Sequence, residues 1–150
     1  MTKYSVQLDL PAPWQKKSDS FMDESGVEVF HIEAHLANKA AKRDDGMVDL
    51  YVGDMPEDSS AEEQAFTNYV DTVGFDEDDP EDFNPIEKFD FNGKKAYGFD
   101  ALCEDESPMR FISQEVRKGV LAIMCIAAIN DEELDKVQAL VERSLRVKLQ

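Results

Sequence analysis

The sequence predicts an α+β protein, a largely antiparallel sheet with helices packed on it. Two kinds of signal support this. Asn92-Gly93 and Lys118-Gly119 each sit between two strand-patterned stretches, as hairpin turns do. Two other stretches carry apolar residues at helical spacing, each opened by a capping residue at Ser60 or Asn130. A sheet made mostly of hairpins, with helices laid on it, is an α+β sandwich in outline.

Taken in order, Tyr4 to Leu10 alternates and predicts a first strand with Val6, Leu8 and Leu10 on one face. Pro11 and Pro13 end it, and Trp14 follows. Gln15 to Gly26 is polar and reads as a loop or an edge strand. Val27 to Leu36 also carries helical propensity that would continue through Ala40 and Lys42, but its alternation and its Val-Glu-Val-Phe start favour a strand. In that strand Phe30, Ile32, Ala34 and Leu36 point inward, and His31, Glu33 and His35 point outward. Asn38 to Gly46 is then a connection, and Val48, Leu50 and Val52 alternate in the next strand.

Ser60-Ala-Glu-Glu63 has the form of a capping box, opening a helix with Phe66, Tyr69, Val70 and Val73 on its apolar stripe and Gly74 as its stop. Ile86 to Phe91 and Lys94 to Glu104 form the first hairpin. Asn-Gly accepts the positive φ angles that its tight turn requires. Met109 to Arg117 and Val120 to Ile129 form the second. The last of these strands is apolar throughout, so it is expected to be central and covered on both faces. Asn130 caps a final helix with Leu134, Val137, Val141 and Leu145 as its stripe.

A chain of 150 residues is the usual size of one domain, here residues 1–150, and can bury a genuine core. Its charge is unevenly spread. Residues 44–87 contain no Lys or Arg and hold 16 of the 33 acids, so one contiguous third supplies nearly all of the net charge of −17. Such a segment repels nucleic acid phosphates and favours a basic partner. Its densest run is Asp76, Glu77, Asp78, Asp79, Glu81 and Asp82, the candidate partner-binding residues. Calcium is the alternative ligand, but the run lacks the loop glycine and spaced oxygens of an EF-hand, and Pro80 interrupts it.

The alternating N-terminus does not resemble a signal peptide, and the longest apolar run, ten residues from Val120 to Ile129, is too short to span a bilayer as a helix. A cytoplasmic protein without membrane contact is the expectation. The two cysteines, Cys103 and Cys125, sit in apolar strand-like stretches and read as buried thiols. Trp14, Phe21 and Tyr51 read first as core aromatics, with partner anchors as the alternative.

His31-Ile-Glu-Ala-His35 is the one histidine cluster. On a strand its two imidazoles lie ~13 Å apart, too far to share one zinc ion. No metal or cofactor is therefore expected. Gly-x-Ser-x-Gly elbows, phosphate-binding glycine loops and Rossmann fingerprints are all missing, so catalysis is not expected either.

Leu10-Pro11-Ala12-Pro13-Trp14 after the first strand, the capped helix at Ser60, Asn92-Gly-Lys-Lys-Ala-Tyr97, and an apolar strand running into a final helix that ends Ser144-Leu-Arg-Val147 together resemble the PsbP-like superfamily. That superfamily also holds the Ran-binding Mog proteins and bacterial domains of the DcrB type. Its members are mostly non-enzymatic binding or assembly factors, with no shared catalytic set. The resemblance implies an adaptor or chaperone-like protein, here using an acidic face for a basic protein partner. A small-ligand-binding domain and a DNA-mimicking inhibitor stand as alternatives.

Overall fold

A computed structural model describes residues 4–38, 40, 42–74 and 85–149. The elements are β1 Tyr4–Leu8, β2 Gln15–Met22, β3 Glu28–Asn38, β4 Arg43–Asp54, α1 Ala61–Thr72, β5 Glu87–Phe91, β6 Lys94–Leu102, β7 Pro108–Arg117, β8 Val120–Ala128, α2 Asp131–Ser144 and β9 Leu145–Leu149. Seven strands form one sheet in the order β2-β3-β4-β8-β7-β6-β5, every neighbouring pair antiparallel. The α+β expectation therefore holds as a mostly antiparallel sheet with two helices packed on it.

Both expected hairpins are present. Asn92 and Gly93 take φ of 54° and 83°, the left-handed pair that a two-residue turn between twisted strands needs. The second hairpin turns at Lys118-Gly119. The apolar β8 lies fourth of seven, at the centre of the sheet. Only one of its faces is fully covered, which corrects the expectation of burial on both. Ala122, Met124, Ile126 and Ala128 are buried, whereas Ile123, Cys125 and Ala127 on the other face are half-exposed.

The core forms on the face bearing the even-numbered residues. Ile32 and Ala34 of β3, Val48, Leu50 and Val52 of β4, and Met124 and Ile126 of β8 meet Leu134, Val137 and Val141 of α2. Three residues of the expected α2 stripe, Leu134, Val137 and Val141, are therefore in place, and the fourth, Leu145, falls beyond the helix in β9. Asn130 caps that helix, its Oδ1 accepting from the Glu133 amide at 2.8 Å. On the same face the Arg110 guanidinium joins the sheet to the helix, donating to Asp100 at 2.6 Å and to Gln138 at 2.6 Å. Gln114, buried in β7, donates to the Phe91 carbonyl at 2.7 Å and so ties the β5–β6 turn to its neighbour.

Helix α1 packs against odd-numbered residues of β6 and β7. Asn68 donates to the Ser113 hydroxyl at 3.4 Å, and the Tyr69 ring meets Phe99 edge-on at 5.2 Å. Its Ser60 cap is present, with Oγ accepting from the Glu63 amide at 3.1 Å, and Gly74 at φ 95° follows its end. The expected stripe is corrected. Phe66 and Val73 are exposed, and the residues buried are Ala61 and Ala65. Two alanines let the helix backbone approach the sheet closely, so the contact face combines Ala61 and Ala65 with Tyr69 of the expected stripe.

Two further expectations change. The chain does not end in the final helix. Leu145 turns extended, and β9 pairs antiparallel with β1 as a separate two-stranded sheet, Leu8 opposite Leu145. The strands β3 and β4 also run further toward each other than the expected connection from Asn38 to Gly46, with a register shift after Leu36. The segment Gln15 to Gly26, read as a loop or an edge strand, contains edge strand β2, exposed at every position.

Candidate functional site

Because α1 sits on β6 and β7, the same sheet face stays half-exposed across β3 and β4 and fully exposed along β2. The strand reading of the histidine cluster is correct, and His31, Glu33 and His35 all lie on this face. The register sets Asp19 of β2 and Tyr51 of β4 on either side of His31, and sets Asp49 beside Glu33. These neighbours turn three solvated side chains into two charge clusters.

In the first, the His31 imidazole lies between two carboxylates, Nδ1 at 3.0 Å from Asp19 and Nε2 at 2.5 Å from Asp49. Its ring stacks on Tyr51, centroids 4.4 Å apart and planes 16° apart, and Phe21 meets Tyr51 edge-on at 6.3 Å. In the second, His35 lies between Glu33, 2.8 Å from Nε2, and Asp44, 2.7 Å from Nδ1. A neutral imidazole has one N–H and can donate to only one of its two carboxylates, whereas the imidazolium donates to both.

The charged form is favoured accordingly. Burial alone would push the His31 pKa down, but the hydrogen bonds and charges of Asp49 and Asp19 outweigh it, and the pKa stands above its ordinary 6.5. The His35 pKa is raised chiefly by the bond to Glu33, against partial burial and with help from Asp44. The same bond holds the Glu33 carboxyl below its usual range. A histidine whose pKa rises on folding contributes stability in full below its unfolded value near 6.5. That contribution fades as pH climbs through the raised value. Asp49→Asn is therefore expected to bring the His31 titration, read from the imidazole proton resonances, down toward 6.5 while leaving His35 nearly unchanged.

Among the described residues, no group of three or more histidines, cysteines or carboxylates converges as a metal ion requires. Both nitrogens of each imidazole already face carboxylates, so neither presents a free lone pair outward. Cys125 shares this sheet face, and its thiol is pushed up to about 12, first by burial and then by the charge of Asp49. It stays protonated and poorly nucleophilic. Cys103 falls just past the end of β6 rather than in a strand, and both thiols are half-buried. Beside Asp44 the face runs into an open cleft of about 440 Å³ lined by Met47, Cys103, Asp105, Ser107 and Ala127.

The sequence candidates fare differently. His31, Glu33 and His35 are brought together with Asp44 and Asp49, which belong to the acidic third 44–87, and with Asp19, which lies outside it. Of the three candidate anchors, Trp14 packs against the core, Tyr51 stacks on His31, and Phe21 is 45% exposed at the sheet edge. The run Asp76, Glu77, Asp78, Asp79, Glu81 and Asp82 lies outside the described residues. No helix among those residues is long and apolar enough to cross a membrane. Compared with known proteins, the chain matches no family model, no curated protein and no solved structure.

Proposed function

We propose that this chain is a non-enzymatic binding protein, an α/β/α sandwich of the PsbP-like type, whose acidic open sheet face takes a basic protein partner. The observation that carries the reading is the convergence of Asp19, Glu33, Asp44 and Asp49, from three strands, on one half-exposed face beside the aromatic pair Phe21 and Tyr51. Carboxylates set beside aromatic rings suit the ammonium and guanidinium heads of a cationic surface, whose stems pack against the rings. The run from Asp76 to Asp82 extends the same charge along the chain and steers such a partner in from a distance.

The histidines make the proposed face pH-dependent. Below their raised pKa values they neutralise part of it. Above those values each imidazole releases one carboxylate, and affinity for a cationic partner rises.

The test is capture of the partner from native lysate, its purification, and a titration at low and moderate salt. Reversing Asp76, Asp78 and Asp79 to Lys is expected to slow association and to flatten the salt dependence, as loss of a steering charge does. Affinity and salt dependence equal to those of the unaltered chain would refute a role for the acidic run.

A further inference from the structure

Edge strands in monomeric proteins are commonly kept short, bulged or interrupted by proline, because their outer backbone groups are open to pairing with another chain. Strand β2 has none of these features. It runs eight residues from Gln15 to Met22, keeps an unbroken register with β3, and contains no proline. Every residue in it is exposed, and its end carries Phe21 and Met22 at 45% and 63% exposure. The strand also lies outside the acidic third of the chain, with Lys16 and Lys17 against Asp19.

Lysines on an edge usually oppose pairing, and here the allowed registers decide whether they do. When a strand pairs with its own copy across a two-fold axis, facing residues must both turn their backbone groups outward or both inward. Outward and inward residues alternate, so facing positions share parity and the axis passes through a residue. An axis through Lys17 sets that lysine against itself, and an axis through Asp19 does the same with the aspartate. An axis through Ser18 sets Lys17 against Asp19 of the second copy, and Asp19 against its Lys17. Gln15 then faces Phe21, Lys16 faces Ser20, and nearly the whole strand is used. The Asp19 side chain is 70% exposed, and so is able to take a second cationic neighbour besides His31.

We infer that β2 is the contact by which two copies of this chain join edge to edge, antiparallel, about an axis through Ser18. The contact continues the sheet from one copy to the next. It brings the two His31 clusters side by side at the axis, so the open acidic face becomes a double one. This pairing stands independently of the basic partner proposed above.

Sedimentation of the full chain over a concentration series tests it, with far-UV circular dichroism confirming that each variant folds. A reversible rise to twice the 17.0 kDa mass of one chain is expected. Lys17→Asp places aspartate against Asp19 in both pairs and is expected to raise the dimer Kd about tenfold or more. The combined Lys17→Asp and Asp19→Lys exchange restores opposite charges and is expected to restore the dimer. Facing residues in such a pair have Cα atoms about 5 Å apart, within disulfide reach. Ser18→Cys is therefore expected to cross-link two copies on oxidation, and Ser20→Cys, which faces Lys16, is not. A monomer at every concentration, a dimer indifferent to Lys17→Asp, or cross-linking through Ser20→Cys in preference to Ser18→Cys would overturn the inference.

Discussion

Replacing Gly98 by alanine is expected to destabilise the protein by about 3 kcal/mol or more, a Tm lower by roughly 6–12 °C. Gly98 lies within β6, opposite Ile112 of β7 and Glu87 of β5. A Cβ there would run into the Phe111 carbonyl oxygen and stand 3.1 Å from its carbon. The obstruction is backbone, so the clash is relieved only by parting two paired strands, with loss of ladder hydrogen bonds beside the α1 contact. Gly46→Ala makes the informative contrast. Its Cβ would meet the rim of the Trp14 ring at 2.9 Å, and a side chain can shift where a strand cannot. Thermal melts of the two variants should rank Gly98→Ala well below Gly46→Ala, and equal melting temperatures would contradict the packing described for β6 and β7.

Charge reversal at the open face carries the largest expected effect on binding. Glu33 and Asp44 both flank His35 and are about half exposed, so changing them to Lys disturbs no buried contact. The double variant shifts the face by four charges and sets lysines against the cationic surface of the partner. An affinity at least about tenfold weaker is expected, mostly through slower association and most plainly at low salt. Asp131→Lys with Glu132→Lys makes the same change in net charge at exposed positions on α2, on the other side of the sheet. If the location of charge matters, only the first pair weakens binding. Equal losses from both would reduce the effect to net charge alone.

The hairpins, the central strand and α2 were legible in the sequence because local chemistry and the global fold agree there. Asn92-Gly93 tolerates the turn, β8 is apolar enough to be central, and the α2 stripe is wide. The errors arose where two patterns overlap or where packing favours small residues. Leu145-Arg-Val-Lys-Leu149 alternates as a strand does, but Leu145 also continues the helical spacing of Leu134, Val137 and Val141, which hid the end of α2. Its strand partner, β1, comes from the opposite end of the chain, and no local signal marks such a pairing. In α1 the apolar spacing places Tyr69 on the sheet, while the close approach allowed by Ala61 and Ala65 turns Phe66 and Val73 away from it.

The candidate site was half legible. Strand parity put His31, Glu33 and His35 outward together, which a polar alternation within one strand can reveal. Apart from Glu33, the carboxylates that give those histidines their character come from β2 and from β4, up to 18 positions away in sequence. Cross-strand register decides which acids arrive, and with 33 acids in the chain no single one could be chosen in advance. Overall charge pointed instead to the run from Asp76 to Asp82, a property of composition rather than of geometry.

The most direct test of the central claim is an amide chemical-shift map of the labelled protein titrated with its purified partner. Perturbations concentrated at His31, Glu33, Asp49 and Tyr51, stronger above the histidine pKa values than below them, are the expected result. Shifts confined to α2, or a map unchanged by saturating partner, would contradict the assignment of the open face as the binding surface.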